Sequence, residues 1–211
     1  MSARVRVKIC GLTRIEDARL AVDLGADAIG MIFWPQSPRV VNVEQARAIC
    51  CAVPPFVTRV GVFVNLPPHD VAGIAQAVDL DVVQLHGDED LEVFGRVGRR
   101  LLKTVSLTAD DRLADVAAWP EHVMPLVDAH DATRRGGTGR VANWPRAALL
   151  ARRRSIVLAG GLTPDNVGDA IRQVRPWAVD VSSGVERGPG VKSAERLRAF
   201  FNEVEAAGRQ S

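Results

Sequence analysis

The opening segment VKICGLT contains one side chain suited to acid–base or nucleophilic chemistry, the thiol of Cys10. It stands where a strand-like run, VRVKI, ends. A thiolate can act as a general base once its pKa falls from about 8.5. A free cysteine is also often a small buried hydrophobe. Position alone leaves both interpretations of Cys10 open.

A carboxyl group with a complementary use follows another strand-like run, VMPLV, where Asp128 opens the segment DAHDATRRGGTGR. A protonated carboxyl can serve as a general acid, although Asp128 could also anchor its loop, and Asp131 could take either part. Alternation places Asp128 on the same strand face as Leu126. If these faces point into a barrel, Cys10 and Asp128 confront each other across its mouth. Together they could move a proton between a carbon and an oxygen of a sugar phosphate.

Glycine-rich turns follow the last three strand-like runs, and such turns let backbone N–H groups converge on a phosphate. Barrel enzymes often build this site from the loops after strands seven and eight. The pair Gly160–Gly161 could instead only turn the chain, but a second turn of this kind, SSG, follows the next run. The pattern therefore favours a phosphate site. Its candidate residues are Gly136, Gly137, Gly139, Gly160, Gly161, Ser182, Ser183 and Gly184.

Further polar residues at the ends of these runs are Arg39 in FWPQSPR, and Gln84 and His86 in QLHG. Gln84 and His86 share a strand face. A histidine at such a place is more often a hydrogen-bonded wall residue than a catalyst. No spacing of His, Cys and carboxylate residues suggests a structural metal site.

An inward-facing lysine in the first run, Lys8, needs a charged partner. The first and last strands of a closed barrel are neighbours, and Asp180 lies in the last run. We therefore predict an internal Lys8–Asp180 ion pair below the site. Its positive member should favour the thiolate of Cys10.

Eight strand-like runs, each followed by a helical pattern, position these residues. The runs begin at positions 5, 28, 58, 81, 101, 123, 155 and 178. Such alternation indicates parallel strands joined by right-handed crossovers, and eight is the number in the closed (β/α)8 (TIM) barrel. We predict this α/β fold as a single domain over residues 1–211. The alternative, an open doubly wound sheet, usually has fewer strands and a glycine-rich first turn.

Two helix starts carry capping signatures. TRIE offers Thr13 as the N-cap with Glu16 as its capping-box partner, and TPDN offers Thr163 as a cap with Pro164 in the first turn. The adjacent Cys50 and Cys51 follow an apolar helical pattern, which predicts core positions for both.

Composition excludes several classes of protein. The chain has a net charge of +2, and acids interrupt its arginine clusters, so no continuous basic stripe suits nucleic acid. The start MSARVRVK lacks a signal-peptide core, and no run reaches the roughly 18 apolar residues of a membrane span. Three cysteines do not form a disulfide framework. We expect a cytoplasmic protein that binds neither nucleic acid nor membranes.

At these residues the sequence resembles the phosphoribosylanthranilate isomerases of tryptophan biosynthesis. The shared segments run through almost the whole chain in order, and so ordered a set is far more specific than a lone glycine motif. They are KICGLT, GADAIGMIFWPQSPR, GVFVN, VVQLHG, LVDA, GGTGR, LAGGLTPDNV and DVSSGVERGPGVKS. The resemblance implies a (β/α)8 barrel that converts N-(5'-phosphoribosyl)anthranilate to its 1-deoxyribulose 5'-phosphate isomer, an Amadori rearrangement.

The resemblance also implies residue roles. Cys10 is the general base, Asp128 the general acid, and Arg39 holds the anthranilate carboxylate, while Gln84 and His86 contact the substrate. The phosphate is held by Gly137, Gly139, Gly160, Gly161, Ser182, Ser183 and Gly184. No cofactor or metal is expected, because the iminium intermediate itself accepts the electrons that the proton leaves behind. The expected partner is a small phosphorylated substrate, and the expected assembly is a monomer or homodimer.

One departure and three rivals bear on this identification. Where the family usually reads FDW after GGTG, this chain has ANW, and we expect little effect because Asn143 also caps well. A histidine-pathway sugar isomerase is expected to carry aspartate in place of Cys10. A non-catalytic phosphate-binding protein predicts affinity without turnover. A thiol peroxidase would need a resolving cysteine placed to serve Cys10.

Overall fold

The computed structural model describes residues 4–107, 112–128 and 142–209, and its centre is a closed barrel of eight parallel strands. Each strand pairs with the next along the chain, and the last pairs with the first. This closure confirms the predicted barrel and excludes the open sheet. The strands are β1 (Arg6–Ile9), β2 (Ala28–Ile32), β3 (Thr58–Phe63), β4 (Val82–Leu85), β5 (Arg100–Ser106), β6 (Val123–Asp128), β7 (Val157–Leu158) and β8 (Ala178–Val181).

A helix follows each strand and covers the outside of the barrel. The helices are α1 (Ile15–Asp23), α2 (Val43–Cys51), α3 (Pro68–Val78), α4 (Leu91–Phe94), α5 (Arg112–Ala117), α6 (Trp144–Ala151), α7 (Val167–Val174) and α8 (Ala194–Gly208). As expected, Asn143 caps α6, and its side chain accepts the N–H of Arg146 at 3.2 Å. None of the helices in the described ranges has the length and apolar content needed to span a membrane.

The connection between β8 and α8 contains extra structure. A short 3-10 helix (Ser183–Val185) leads into an antiparallel hairpin of β9 (Glu186–Gly188) and β10 (Val191–Lys192). This hairpin brings two charged side chains, Glu186 and Lys192, into the buried part of the protein.

The apolar side chains form two separate cores, because successive residues of a strand point to opposite faces. A large core lies between the barrel and the helices, and Val7 and Ile9 belong to it. A small core fills the barrel itself and includes Leu126, so Asp128, two residues later, lies on the inner face as predicted. The inner core consists of Val60, Leu102, Leu126, Val157, Ala159 and Ala178.

The predicted ion pair lies inside the barrel. Lys8 and Asp180 are register partners of β1 and β8, and Lys8 Nζ donates to Asp180 Oδ1 at 2.9 Å. Their side chains are only 4% and 9% exposed. Burial alone would lower the pKa of Lys8, but attraction to Asp180 raises it above its ordinary value. Lys8 therefore stays charged, and this prediction is confirmed.

Three local predictions are wrong. Thr13 does not cap α1, because its hydroxyl instead donates to the carbonyl of Gly190 in the hairpin turn at 2.6 Å. Thr163 does not cap α7, because the helix begins at Val167 with Asn166 in the N-cap position. Cys51, the last residue of α2, is exposed, because the helix turns this position away from the core.

We predict that Asp180→Asn lowers the free energy of unfolding by about 3–5 kcal/mol, because it leaves the buried Lys8 ammonium without its counter-ion. Urea denaturation measures this change. The matched control is Asp169→Asn, which breaks a surface pair with Arg172 and should cost less than about 1 kcal/mol. Equal losses in the two variants would contradict the prediction.

Candidate active site

Cys10 directly follows β1 at the mouth of the barrel, where barrel enzymes carry their catalytic groups. Its N–H donates to the carbonyl of Val181 at 2.9 Å, and its carbonyl accepts a hydrogen bond from Lys192 Nζ at 2.6 Å. The residue is 6% exposed. A Cβ placed on Gly30 of the neighbouring strand would lie 2.9 Å from Cys10 Sγ, so glycine leaves the thiol its space. The backbone on both sides thus fixes where the thiol points.

Burial and charge act in opposite directions on the Cys10 thiol. Burial raises its pKa, Lys8 and Lys192 lower it, and Asp180 raises it again. The net effect is a pKa above the ordinary value for a thiol. Lys8 therefore lowers the pKa of Cys10, as predicted, but the effect of burial is larger. Cys10 is a thiol at neutral pH in the unliganded protein.

Asp128 ends β6, and its Oδ2 lies 3.7 Å from Nε2 of His86. His86 Nδ1 lies 2.9 Å from Thr104 Oγ1 and 3.2 Å from Gln84 Nε2. Because an amide nitrogen only donates, the Gln84 contact makes Nδ1 an acceptor and puts the ring proton on Nε2. With the amide in this orientation, His86 directs an N–H toward the Asp128 carboxyl. The structure therefore brings these three predicted site residues, Gln84, His86 and Asp128, into one group.

A second buried ion pair shapes the loop that follows His86. Lys103 Nζ donates to Glu89 Oε2 at 2.7 Å and to the carbonyl of Gly87 at 2.9 Å. Glu89 also accepts the backbone N–H of Asn65 at 2.8 Å, which ties the loops after β3 and β4 together. The backbone on which the His86 ring is mounted is thereby fixed.

Arg39 lies in the loop between β2 and α2 and is 8% exposed. Its Nε donates to both oxygens of Glu186, at 2.9 and 3.1 Å, and its Nη2 donates to Oε2 at 2.7 Å. These hydrogen bonds raise the pKa of Arg39 further. They use one side of the guanidinium, and Glu186 does not use the end formed by Nη1 and Nη2. That end has the geometry to bind a second planar oxyanion.

The turn after β7 depends on two glycines. Gly160 and Gly161 have φ values of 81° and 63°, a left-handed backbone conformation that glycine adopts without strain. Asn166 holds the turn in place, because its Oδ1 accepts the N–H of Thr163 at 2.8 Å and its Nδ2 donates to the carbonyl of Gly161 at 2.9 Å. These two hydrogen bonds of the Asn166 side chain, and not the predicted Thr163 cap, fix the turn before α7.

The turn after β8 packs directly against the turn after β7. A Cβ on Gly184 would collide with the carbonyl oxygen of Leu162, so only glycine allows this approach. Within the described residues, Ser182 Oγ is buried without a hydrogen-bond partner. The first backbone N–H groups of a helix have no partner within it, and Ser183 and Gly184 begin the 3-10 helix that packs against the turn after β7. This arrangement of donors suits an anion.

Three of the candidate phosphate residues, Gly136, Gly137 and Gly139, lie outside the described residues, as does the alternative acid Asp131. Sequence reasoning assigned no role to Glu186 or Lys192, which the structure places beside Arg39 and Cys10. The rarity of lysine was a signal for Lys192 in the composition. Only three of the 27 Lys and Arg residues are lysines, and all three are buried, with exposures of 3% for Lys8, 7% for Lys103 and 3% for Lys192.

Metal binding finds no support in the part of the chain that the structure describes. No group of three or more His, Cys, Asp and Glu side chains there could hold a metal ion.

Comparison with known proteins identifies the family. Residues 7–203 match the family model described as N-(5'phosphoribosyl)anthranilate (PRA) isomerase. An N-(5'-phosphoribosyl)anthranilate isomerase of Pseudomonas fluorescens is 49% identical over 203 residues, which cover 95% of each chain. This chain belongs to the phosphoribosylanthranilate isomerase family. The family and the enzyme class expected from the sequence are confirmed.

Solved structures of phosphoribosylanthranilate isomerases share the fold. One is a complex with reduced 1-(o-carboxyphenylamino)-1-deoxyribulose 5-phosphate, with a TM-score of 0.85 and 40% identity, covering 96% of this chain and 99% of that chain. Another shows monomers generated from the dimeric enzyme of Thermotoga maritima, with a TM-score of 0.85, 38% identity and coverages of 96% and 99%. The (β/α)8 fold of this chain is therefore that of its relatives.

We predict that the Cys10 thiol of the unliganded protein ionises only at alkaline pH. The reason is that burial raises the pKa of Cys10 more than Lys8 and Lys192 lower it. Below that pKa the thiolate fraction grows about tenfold per pH unit. The measurement is the ultraviolet absorbance of the thiolate in a Cys50→Ser, Cys51→Ser background, and a thiolate signal already complete at neutral pH would contradict the prediction.

Proposed function

We propose that this isomerase converts N-(5'-phosphoribosyl)anthranilate to 1-(2-carboxyphenylamino)-1-deoxyribulose 5-phosphate with Cys10 as general base and Asp128 as general acid. The reaction belongs to tryptophan biosynthesis. The observation that carries the assignment is the placement of both groups at inward-facing strand ends, Cys10 after β1 and Asp128 at the end of β6. Two strands, β7 and β8, separate them on that side of the ring, so they approach the mouth from different sides.

Ring opening is the step that needs an acid. The protonated Asp128 carboxyl gives its proton to the ribose ring oxygen, the bond from that oxygen to C1' breaks, and the anthranilate nitrogen forms an iminium with C1'. His86 Nε2 lies 3.7 Å from Asp128 Oδ2, so the His86 ring borders the carboxyl group at the mouth of the barrel.

Proton removal at C2' is the step that needs a base. The Cys10 thiolate takes this proton, the C–H electrons form the C1'–C2' double bond, and the iminium π electrons return to nitrogen. The resulting enolamine tautomerises to the ketone. The iminium places a positive charge beside Cys10, which lowers the pKa of the thiol in the complex and offsets burial. The chemistry needs no cofactor, since the iminium is the electron acceptor.

Substrate binding in this proposal uses the two anionic ends of the molecule. The Nη1–Nη2 end of Arg39 receives the anthranilate carboxylate, because Glu186 already occupies the other side of the guanidinium. The paired turns after β7 and β8 receive the phosphate through backbone N–H groups, with Ser182 Oγ as a further donor. Gly137 and Gly139 are proposed to complete this site.

The remaining expectations are proposals of the same kind. Residues 1–211 act as one domain, the enzyme works in the cytoplasm as a monomer or homodimer, and its partner is the phosphorylated substrate rather than nucleic acid or a membrane.

We predict that Gly184→Ala raises KM roughly tenfold or more while kcat changes less. The added methyl group would collide with the Leu162 carbonyl and separate the two turns, which weakens phosphate binding more than chemistry. Steady-state kinetics test this, and Gly188→Ala is the matched control, because a Cβ there meets no atom within 4 Å. An unchanged KM in Gly184→Ala would contradict the phosphate assignment.

We predict that Cys10→Ser and Asp128→Asn each lower kcat/KM by about 10²–10⁴-fold, the usual contribution of general acid–base catalysis. The assay follows conversion of N-(5'-phosphoribosyl)anthranilate. Cys51→Ser and Asp23→Asn serve as controls, since both residues are exposed on helices away from the mouth, and they should keep full activity. Full activity in Cys10→Ser or Asp128→Asn would overturn the role of that residue.

A further inference from the structure

Lys192 in β10 is neither the proposed general acid, Asp128, nor the proposed general base, Cys10, and its contacts point to a different role. Its side chain is fully buried, and its Nζ donates to the carbonyl of Cys10 at 2.6 Å, the carbonyl of Ser182 at 3.0 Å and Glu186 Oε1 at 2.9 Å. An ammonium ion has three N–H groups. All three N–H groups of Lys192 Nζ are used, one for each acceptor.

The three acceptors belong to three parts of the mouth. Cys10 carries the proposed base, Ser182 begins the turn after β8, and Glu186 grips Arg39. Lys192 itself is fixed from outside, because its backbone N–H donates to the buried carboxylate of Asp17 in α1 at 3.0 Å. One side chain therefore links the base, the phosphate turn and the carboxylate-binding arginine to the body of the protein.

Charge gives Lys192 a second consequence. The charged side chains that act most on Cys10 or on its charged neighbours are Lys8, Asp180, Arg39, Glu186 and Lys192. Lys8 with Asp180 and Arg39 with Glu186 form neutral pairs. The carboxylate of Asp17 lies at the backbone end of Lys192, whereas the positive charge of Lys192 Nζ lies on the side of Cys10, where a thiolate must form.

We propose that Lys192 is a positioning residue of the isomerase, which holds the backbone of Cys10 and the Glu186–Arg39 pair in place and supplies a positive charge beside Cys10 that stabilises its thiolate. The inference deepens the proposed function and rests on its assignment of Cys10 as the base. It stands on the three hydrogen bonds of Nζ and on the position of this charge next to Cys10.

Titration of Cys10 and Glu186 agrees in direction, whereas burial lowers the pKa of Lys192 itself and the attraction of Glu186 opposes that lowering. Burial raises the pKa of the thiol, and the attraction of Lys8 and then Lys192 opposes it. Burial also opposes ionisation of Glu186, but hydrogen bonds from Arg39 and the charge of Lys192 lower its pKa below the ordinary value. Glu186 is therefore ionised at neutral pH, and removing its charge should shift Cys10 in the opposite direction from removing Lys192.

The experiment titrates the thiolate by its ultraviolet absorbance in a Cys50→Ser, Cys51→Ser background, where Cys10 is the only thiol. The chain contains no tyrosine, so no tyrosinate obscures the signal at alkaline pH. The variants are Lys192→Met, which keeps the apolar stem, Lys192→Arg, which keeps the charge, and Glu186→Gln. The matched control is Arg187→Met, which removes an exposed cation of the same hairpin.

We expect Lys192→Met to raise the apparent pKa of Cys10 by about one pH unit, and Glu186→Gln to lower it by a similar amount. Lys192→Arg should restore most of the shift, and Arg187→Met should cause none. The isomerase kcat/KM at neutral pH should be about tenfold lower in Lys192→Met, because a smaller fraction of Cys10 is thiolate. A purely structural lysine would not give shifts of opposite sign in the two variants.

Folded Lys192→Met with an unchanged thiol titration would overturn the proposal. If that variant does not fold, Glu186→Gln decides alone, since an unchanged or raised thiol pKa there also overturns it. Failure of the proposed function is separate, because full activity in Cys10→Ser would remove the base assignment whatever the titrations show. Shifts of the expected sign with an inactive Cys10→Ser support both.

Discussion

A charge inside a protein costs several kcal/mol unless an opposite charge and hydrogen bonds compensate it, and the mouth of this barrel is organised by that requirement. Lys8 pairs with Asp180 across the closure of the barrel, Lys103 pairs with Glu89, and Lys192 joins Glu186. Removing one member of the Lys8–Asp180 or Lys103–Glu89 pair leaves a buried charge without its counter-ion, whereas Glu186 keeps Arg39 when Lys192 is removed. The positions of Cys10, His86 and Arg39 follow from these pairs as much as from apolar packing.

The same charges bear on two conflicting requirements of the Cys10 thiol, the strength of its thiolate as a base and the fraction of thiolate present. A buried thiolate is a strong base because little solvent stabilises it, but burial also reduces how much of it exists. Lysines on two sides of Cys10 oppose burial without cancelling it, and the pKa stays above its ordinary value. The thiol therefore stays protonated until a cationic intermediate arrives and lowers its pKa. A fully exposed cysteine would ionise more easily and remove the proton from carbon less effectively.

Much of this was accessible from the sequence because strand periodicity and barrel closure are strong constraints. All eight strands begin within two residues of the predicted positions, and parity with closure was enough to predict the Lys8–Asp180 pair. The hydrogen bond of Thr13 to Gly190 and the grip of Glu186 on Arg39 were not predictable, since both depend on where the hairpin after β8 folds back. Local capping rules take no account of such a distant segment. The roles of Gly137 and Gly139 stay predictions.

Lysines and arginines differ in where they lie in this protein. All three lysines are buried and bonded, whereas the exposed cations are arginines. Reagents and enzymes that modify lysine amines, such as acylating labels, therefore meet no lysine side chain on the surface of the folded protein. Modification of a lysine would report that the barrel mouth or its hairpin has opened, which makes amine labelling an intrinsic probe of local unfolding at the site.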